Sequence, residues 1–158
     1  MFRKMRRSPQ ALSREEMVEL LKRETRGVLS VNGDEGYPYG VPINHFYNEE
    51  NGKLYFHGDR IGHRVDAVKR DSKVSYCVFG DDKKRDGDWA YYVKSVIAFG
   101  KAEIIEDAAE IERICRLLCE KFPCPQEYID IEIEKDIKRT LLIAVEIEDL
   151  NGKLVHEA

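Results

Sequence analysis

The residues with the clearest chemical potential lie at positions 54–64, where the chain reads Leu-Tyr-Phe-His-Gly-Asp-Arg-Ile-Gly-His-Arg. An apolar strand pattern ends at His57–Gly58, and a helix pattern begins near Gly62 with His63 and Arg64 in its first turn. A helix N-terminus presents free N–H groups and the positive end of the helix dipole, and both attract anions. Glycines let the backbone approach a ligand, and an arginine fork can bind phosphate bidentately. This junction, called the phosphate cradle below, is therefore predicted to hold a phosphate.

Arg60 adds a further cation to the loop of the cradle. The competing interpretation is a solvated basic loop without a ligand. Basic residues are common near helix starts, although there they oppose the helix dipole. The residues alone leave both interpretations open.

A second candidate stretch is Val41, Pro42, Ile43, Asn44 and His45. Proline cannot donate to a β-ladder, so Pro42 predicts an edge strand or a bulge, where backbone groups stay available to a ligand. The Asn44 amide both donates and accepts, which suits the mixed edge of a heteroaromatic ring. His45 either lines that site or is a histidine on the surface of the strand, and we favour the surface position.

A third candidate stretch is Ser95-Val96-Ile97-Ala98-Phe99-Gly100, in which the apolar run predicts a core strand. Ser95, at the entry to this run, is placed to face a cofactor.

Three of the four histidines, His45, His57 and His63, follow one another at spacings of 12 and then 6 residues. Zinc sites need tetrahedral sets of His, Cys or carboxylate ligands, and this spacing matches no strong metal signature. The sequence also has no G-x-S-x-G or H-E-x-x-H motif. We therefore predict neither a metal site nor a hydrolase.

The four cysteines are Cys77, Cys115, Cys119 and Cys124, and no two of them form a C-x-x-C motif. Cys115 and Cys119 are four residues apart on a predicted helix, which favours buried thiols. Cys124 lies between two prolines in a predicted loop and is the candidate for exposure. Nothing in the sequence makes any of them a nucleophile.

The chain has 158 residues, is 42% hydrophobic and 35% charged, and carries a net charge of −4. This size fits one domain over residues 1–158, with residues 1–12 expected to be a loosely ordered arm. The negative charge disfavours general nucleic-acid binding, and the apolar runs are too short to span a membrane. No signal-peptide core follows the basic N-terminus, so we expect a cytoplasmic protein.

Periodicity and turn residues predict helices, strands and loops along the whole chain. Ser13 and Glu16 form a capping box that begins the first helix. The predicted helices cover about 13–24, 62–69 and 107–121. The predicted strands cover 27–31, 38–47, 53–57, 73–79, 89–106, 140–148 and a short 153–156. The strand at 89–106 is predicted to bend near Gly100, and a turn at Asn151–Gly152 precedes the last strand. Residues 80–88 are predicted to form a surface loop, and the acidic residues 127–136 a mobile segment.

Short turns join the first three strands, which predicts antiparallel pairing between them. Many strands with few helices predict a mainly β protein, a small antiparallel barrel with helices packed on its outside and end.

Four blocks in this order resemble the pyridoxamine 5′-phosphate oxidase-like superfamily, and in particular its 5-nitroimidazole reductase (nitroimidazole-resistance) branch. The resemblance covers roughly residues 13–148. Its blocks are residues 26–31 (Arg-Gly-Val-Leu-Ser-Val), 36–44 (Gly-Tyr-Pro-Tyr-Gly-Val-Pro-Ile-Asn), 54–58 (Leu-Tyr-Phe-His-Gly) with 62–64 (Gly-His-Arg), and 94–102 (Lys-Ser-Val-Ile-Ala-Phe-Gly-Lys-Ala).

This resemblance implies a flavoprotein with an antiparallel split β-barrel that binds FMN at a homodimer interface. The flavin ring would lie along Val41–Asn44, with His57 and Gly58 beside the ribityl–phosphate arm. Family members often have lysine at the position of His63, which is only partly charged near neutral pH. The remaining implied contacts are His63 and Arg64 to the phosphate, Ser95 and Val96 to the flavin, and Trp89, Tyr91 and Tyr92 from the partner subunit.

The implied function is an FMN-dependent oxidoreductase that passes electrons to a small acceptor such as a nitroaromatic. The flavin carries the redox chemistry, so no acid–base residue is named. Two alternatives stay open at this point. One is a non-enzymatic flavin-binding or storage protein, and the other is a haem- or deazaflavin-binding relative with His45 or His57 as the haem ligand.

Overall fold

A computed structural model gives the structure of the chain. It describes residues 2–6, 8–84, 86–87, 89 and 91–156. The helices are α1 (Arg14–Arg23), α2 (His63–Arg70), α3 (Ala108–Cys119) and α4 (Gln126–Asp136). The strands are β1 (Arg26–Asn32), β2 (Pro38–Asn44), β3 (Phe46–Asn48), β4 (Lys53–Asp59), β5 (Lys73–Lys84), β6 (Tyr91–Ile105) and β7 (Thr140–His156).

The seven strands form one antiparallel sheet in the order β2-β1-β5-β6-β7-β4-β3. The sheet curls so that β2, at one edge, approaches β4 near the other. This is the predicted mainly β split barrel with flanking helices. Its opening lies between β2 and β4, and α2 follows directly from the end of β4.

Two apolar clusters hold the sheet and helices together. The larger one fills the curled sheet and takes in the buried faces of α1 and α2, including Leu20, Leu21 and Val65. The smaller one packs Ile111 and Ile114 of α3 on the other face of β4 and β7. Consecutive residues of a strand face opposite sides, so β4 contributes to both clusters.

Local signals placed most helix starts correctly. The capping box forms as predicted, since the Ser13 side chain accepts from the N–H of Glu16 and the Glu16 carboxylate accepts from the N–H of Ser13. The predicted bend near Gly100 is a shift of register between Phe99 and Gly100 in the pairing of β6 with β7.

The predicted strand at 38–47 is wrong as one element, because it divides at His45. Pro38–Asn44 pairs with β1, whereas Phe46–Asn48 pairs with β4. The three strands are therefore not a simple meander. Burial of the His45 ring between the two parts produces the break.

The acidic segment 127–136 was predicted to be mobile, and this is wrong because it forms α4. Ile129 and Ile133, one turn apart, are buried. The Asp130 carboxylate lies 2.6 Å from the Arg116 guanidinium of α3. Two buried isoleucines thus anchor a helix whose other residues are mostly charged.

The predicted turn at Asn151–Gly152 is also wrong, because β7 runs unbroken through it and pairs Gly152 with Val96. Glycine at position 152 allows Met17 and Leu12 to pack closely against the backbone of β7. A Cβ there would lie 2.6 Å from Met17 Sδ and 3.1 Å from Leu12 Cβ.

The predicted loop at 80–88 begins later, since β5 continues to Lys84. Three positions lie outside the described residues: 85 and 88, in the predicted loop, and 90, in the predicted strand at 89–106.

Near the N-terminus, the Leu12 N–H donates to Gly152 O at 3.0 Å and Ala11 bridges to Lys153. In the part of the chain that the structure describes, no helix is both long and apolar enough to cross a membrane.

Candidate functional site

The phosphate cradle forms where β4 ends and α2 begins, facing the opening between β2 and β4. Gly62 is the N-cap of α2 with φ of +127°, a backbone conformation that favours glycine. No side chain caps this end of the helix. Its first N–H groups are therefore available to an anion, as the sequence predicted.

Arg64 lies over the backbone of β4. A Cβ added to Gly58 would lie 1.9 Å from Arg64 Nη2, so only glycine leaves room for the guanidinium in this position. Arg64 Nε is buried and has no hydrogen-bond partner among the described residues. Burial lowers the pKa of Arg64, yet arginine starts so high that it stays charged at neutral pH. The cradle thus holds a half-buried cation whose buried Nε donor is unsatisfied.

Arg60, in the loop between β4 and α2, shows the same feature. Its Nε is also buried without a partner among the described residues, and its Nη1 lies 3.8 Å from Glu106 Oε1. A buried donor without an acceptor costs about 1–3 kcal/mol. Two such donors, on residues that flank the uncapped N-cap Gly62 in the sequence, fit an anionic ligand better than a fully solvated loop.

His63 is engaged with the β1–β2 connection. Its ring stacks on Tyr39 with centroids 4.2 Å apart. His63 Nε2 lies 3.2 Å from the backbone nitrogen of Asp34 and 3.5 Å from its carboxylate Oδ2, so this ring nitrogen is engaged within the protein. Only the Nδ1 side therefore remains to meet a phosphate, so Arg64 is the stronger of the two predicted phosphate ligands.

Val41, Pro42, Ile43 and Asn44 lie on β2, an edge strand of the sheet, as Pro42 predicted. Pro42 is exposed and pairs with Val28 of β1. The Nε–H of Arg26 donates to Asn44 Oδ1 at 2.8 Å, which orients the amide. This stretch lies on the edge strand that approaches β4.

The prediction that His45 is a surface residue is wrong. Its ring is fully buried, with Nε2 2.7 Å from Leu21 O and Nδ1 2.7 Å from the Tyr76 hydroxyl. Because a carbonyl only accepts, Nε2 carries the proton and Tyr76 donates to Nδ1. Burial and nearby Lys121 lower the pKa of His45 to about 4. His45 is a neutral structural residue that links α1 to β5.

Lys121, just after α3, completes this network. Its Nζ donates to the carbonyls of Glu24 and His45, the latter at 3.2 Å. Burial lowers the pKa of Lys121 to about 8. No local pattern around Lys121 predicts these contacts, because its partners lie 76 and 97 residues away.

The alternation of β4 separates His57 from Gly58. Gly58 faces Arg64, while the His57 side chain faces a cavity of about 400 Å³ between β4, α3 and α4. Burial, and to a lesser degree Arg64, lowers the pKa of His57, so its ring is neutral near pH 7. The backbone of His57–Gly58 borders the cradle, and the imidazole belongs to the cavity.

Ser95 and Val96 lie on β6, away from the cradle. Val96 is fully buried in the larger cluster, whereas Ser95 is half-buried on the outer face of the sheet opposite Phe79. Only the Ser95 side chain is placed to meet a ligand from that face. The structure thus brings Gly58, Gly62, His63 and Arg64 together and leaves this pair apart.

The four cysteines are free thiols and half-buried. Cys115 and Cys119 line the cavity instead of the fully buried core. Trp89 and Tyr91 are exposed, 68% and 45% respectively. Among the described residues, no cluster of three or more His, Cys, Asp or Glu side chains is arranged to hold a metal ion.

The fold is a split barrel with an uncapped helix start between its fourth strand and second helix. The family model described as pyridoxamine 5′-phosphate oxidase matches residues 13–154, and the chain belongs to this family. No curated protein matches the chain.

Solved structures share the fold. A proposed 5-nitroimidazole antibiotic resistance protein from Bacteroides thetaiotaomicron is 18% identical with a TM-score of 0.76, covering 92% of this chain and 87% of that one. An FAD-binding protein from Mesorhizobium loti is 19% identical, with a TM-score of 0.69 and coverages of 92% and 97%. An FAD- and haem-binding protein from Mycobacterium smegmatis is 21% identical, with a TM-score of 0.71 and coverages of 94% and 74%. At these identities the likeness concerns the fold.

Proposed function

We propose that this protein is a flavin-binding oxidoreductase and that the cradle holds the phosphate of FMN. The observation that carries the proposal is the pair of buried, unpartnered Nε atoms of Arg60 and Arg64 beside the uncapped start of α2. A phosphate supplies the acceptors that these donors lack. The similar proteins from Mesorhizobium loti and Mycobacterium smegmatis bind FAD, and the latter also binds haem, which supports a flavin here.

FMN suits the cradle because its phosphate is terminal and dianionic, and the cradle combines two arginines with a helix N-terminus. Val41–Asn44 then borders the ring across the opening, with the Asn44 amide oriented by Arg26. A bound flavin supplies electron or hydride transfer to a small acceptor. The chain's own residues bind the phosphate, orient the ring and leave the edge of β2 open to the acceptor.

His45 does not suit a haem ligand, because both of its ring nitrogens are engaged within the protein. His57 is the other histidine proposed for that role, and its ring opens into the cavity. If this protein bound haem, His57 would therefore be the ligand of the haem iron.

We infer that the protein acts as a homodimer in the cytoplasm. The outer face of the sheet exposes apolar side chains in register across three strands, namely Val28, Cys77, Phe79, Ile97 and Phe99. Phe79 is 62% exposed and Ile97 38%. Contiguous exposed apolar patches mark interaction sites, and a second copy would cover this one.

The test begins with purified protein and four candidate cofactors: FMN, FAD, a deazaflavin and haemin. The proposal expects a protein-bound flavin spectrum with FMN. A Soret band with haemin, together with no bound-flavin spectrum, would overturn it. FMN-loaded protein is then mixed with reduced nicotinamide and a panel of acceptors that includes a nitroimidazole. Turnover supports an oxidoreductase, whereas flavin binding without turnover of any acceptor identifies a storage protein.

A further inference from the structure

The cavity of about 400 Å³ between β4, α3 and α4 is separate from the cradle. His57 lines it from β4, Cys115 and Cys119 from one face of α3, and Ile133 from α4. Gly58 and Asp59 border it too, so the end of β4 separates the cavity from the cradle. Its volume lies in the range of small-molecule sites.

The inner wall of the cavity is apolar and uncharged. Leu118 and Ile133 are buried, and Ile137 lies beside them. Burial raises the pKa of Cys115 to about 11, so its thiol is protonated near neutral pH. The lowered pKa of His57 leaves that ring neutral as well. This wall can bury an apolar body.

The rim carries a negative excess. Three carboxylates line it, those of Asp59, Glu132 and Asp136, against one cation, Arg139. Arg139 Nη2 lies 3.0 Å from Asp136 Oδ1, but its side chain is 69% exposed and that of Asp136 is 32% exposed. The partner of Glu132 is Lys135, which is outside the lining and has Nζ 3.5 Å from Glu132 Oε1.

Because Glu132 lines the cavity and its cationic partner does not, and three carboxylates face one lining cation, the rim attracts a positive ligand group and repels a negative one. The same field disfavours a phosphate in the cavity, in contrast to the cradle on the other face of β4. A ligand that joins a bulky apolar group to an ammonium would match both parts of the cavity: the apolar group would contact the wall, and the ammonium would contact the carboxylates of the rim.

We propose that this cavity is a second ligand site, specific for a small cationic amphiphile with a compact apolar body and a primary amine. The amine meets Glu132 and Asp136 at the rim, and the body rests on Leu118, Ile133 and the two thiols. The site does not depend on flavin, because the residues that select the ligand lie on α3 and α4.

The test compares three probes with the same rigid body and different charge: 1-adamantylmethylamine, 1-adamantylmethanol and 1-adamantanecarboxylate. Calorimetry should show the amine binding at least tenfold more tightly than the carboxylate, with the alcohol between them. Equal affinity for all three, or preference for the carboxylate, would overturn the proposal.

Location is tested by alkylation with N-ethylmaleimide at pH 8.5 followed by peptide mapping. The amine should slow modification of Cys115 and Cys119 and leave that of Cys124, which lies outside the lining, unchanged. Equal protection of Cys124, or protection of neither α3 thiol, would place the amine elsewhere and contradict the proposal.

Two variants test the selecting residues. Glu132→Gln should weaken amine binding at least threefold and leave the alcohol unaffected, while Glu134→Gln, an exposed position outside the lining, should change neither. Cys119→Phe should abolish binding of all three probes by filling the cavity. Should Cys119→Phe fail to fold, Glu132→Gln decides, and an unchanged amine-to-alcohol ratio would count against the proposal.

Discussion

Arg64 is the side chain on which the proposed phosphate site depends most. It is half-buried over Gly58, keeps its buried Nε donor unsatisfied and lies in the first turn of α2. The sequence identified this residue because an arginine after a strand, a glycine and a helix start forms a local pattern. The burial of its Nε is a property of the tertiary structure, and no local pattern contains it.

Replacing Arg64 with alanine should weaken FMN binding by about 1.5–3 kcal/mol, roughly ten- to hundredfold, because a charge-assisted hydrogen bond is lost. Flavin fluorescence quenching measures the change. Lys69→Ala is the matched control, since it removes an exposed cation from the same helix and should have little effect. Equal affinities of wild type and Arg64→Ala would remove Arg64 from the site.

Gly58→Ala gives a second test at this scale. The new Cβ strikes the far end of the flexible Arg64 side chain, which can move away. FMN affinity should therefore fall severalfold while the melting temperature changes little. If FMN affinity is unchanged and the melting temperature falls, Gly58 contributes to stability alone.

At the scale of elements, the helices and strands with strong local signals were predicted well, and the errors have long-range causes. The break at His45 depends on Leu21 and Tyr76, which are 24 and 31 residues away. The helix at Gln126–Asp136 depends on packing of two isoleucines beneath a charged surface. The unbroken β7 depends on Met17 packing over Gly152.

Gly100 tests the register shift between β6 and β7. A Cβ there meets the backbone oxygen of Glu146, which cannot move without disturbing the sheet. Gly100→Ala should lower the free energy of unfolding by about 1–3 kcal/mol, as overpacking does. Gly40→Ala, whose Cβ would first meet Val28 Cγ1 at 3.1 Å on the edge strand, should cost less. Urea unfolding measures both, and the reverse order would contradict this explanation.

At the scale of the whole molecule, the His45 network connects α1, β5 and the end of α3, so its titration affects global stability. The folded-state pKa of His45 is about 4, and its ordinary value is 6.5. Between these values the unfolded chain binds a proton that the folded chain does not. Acidification through this window therefore favours unfolding.

As pH falls from 6.5 to 4, the free energy of unfolding should drop by about 3 kcal/mol through His45. Urea titrations at pH 7 and 4.5 measure the drop. Carboxylates also titrate in this range, so His45→Gln is the comparison and should show a smaller loss. Identical losses in the two proteins would remove His45 as the cause.

The fold class was predictable for the whole molecule because alternation, capping and turns recur along the chain, whereas the element order was predictable only where those local signals are strong. Which face of β4 each site residue occupies was not predictable, because His57 and Gly58 are adjacent in sequence and separate only when α2 and α3 pack on opposite faces. The cavity has the same origin, since its residues come from three segments that are distant in the sequence.

The central claim is that the cradle binds the phosphate of a flavin, and paired titrations of the wild-type protein with FMN and with riboflavin test it most directly. The two ligands share the ring and the ribityl chain and differ only in the phosphate. Our account predicts that FMN binds at least a hundredfold more tightly than riboflavin. Equal affinities, or no binding of either ligand, would contradict it.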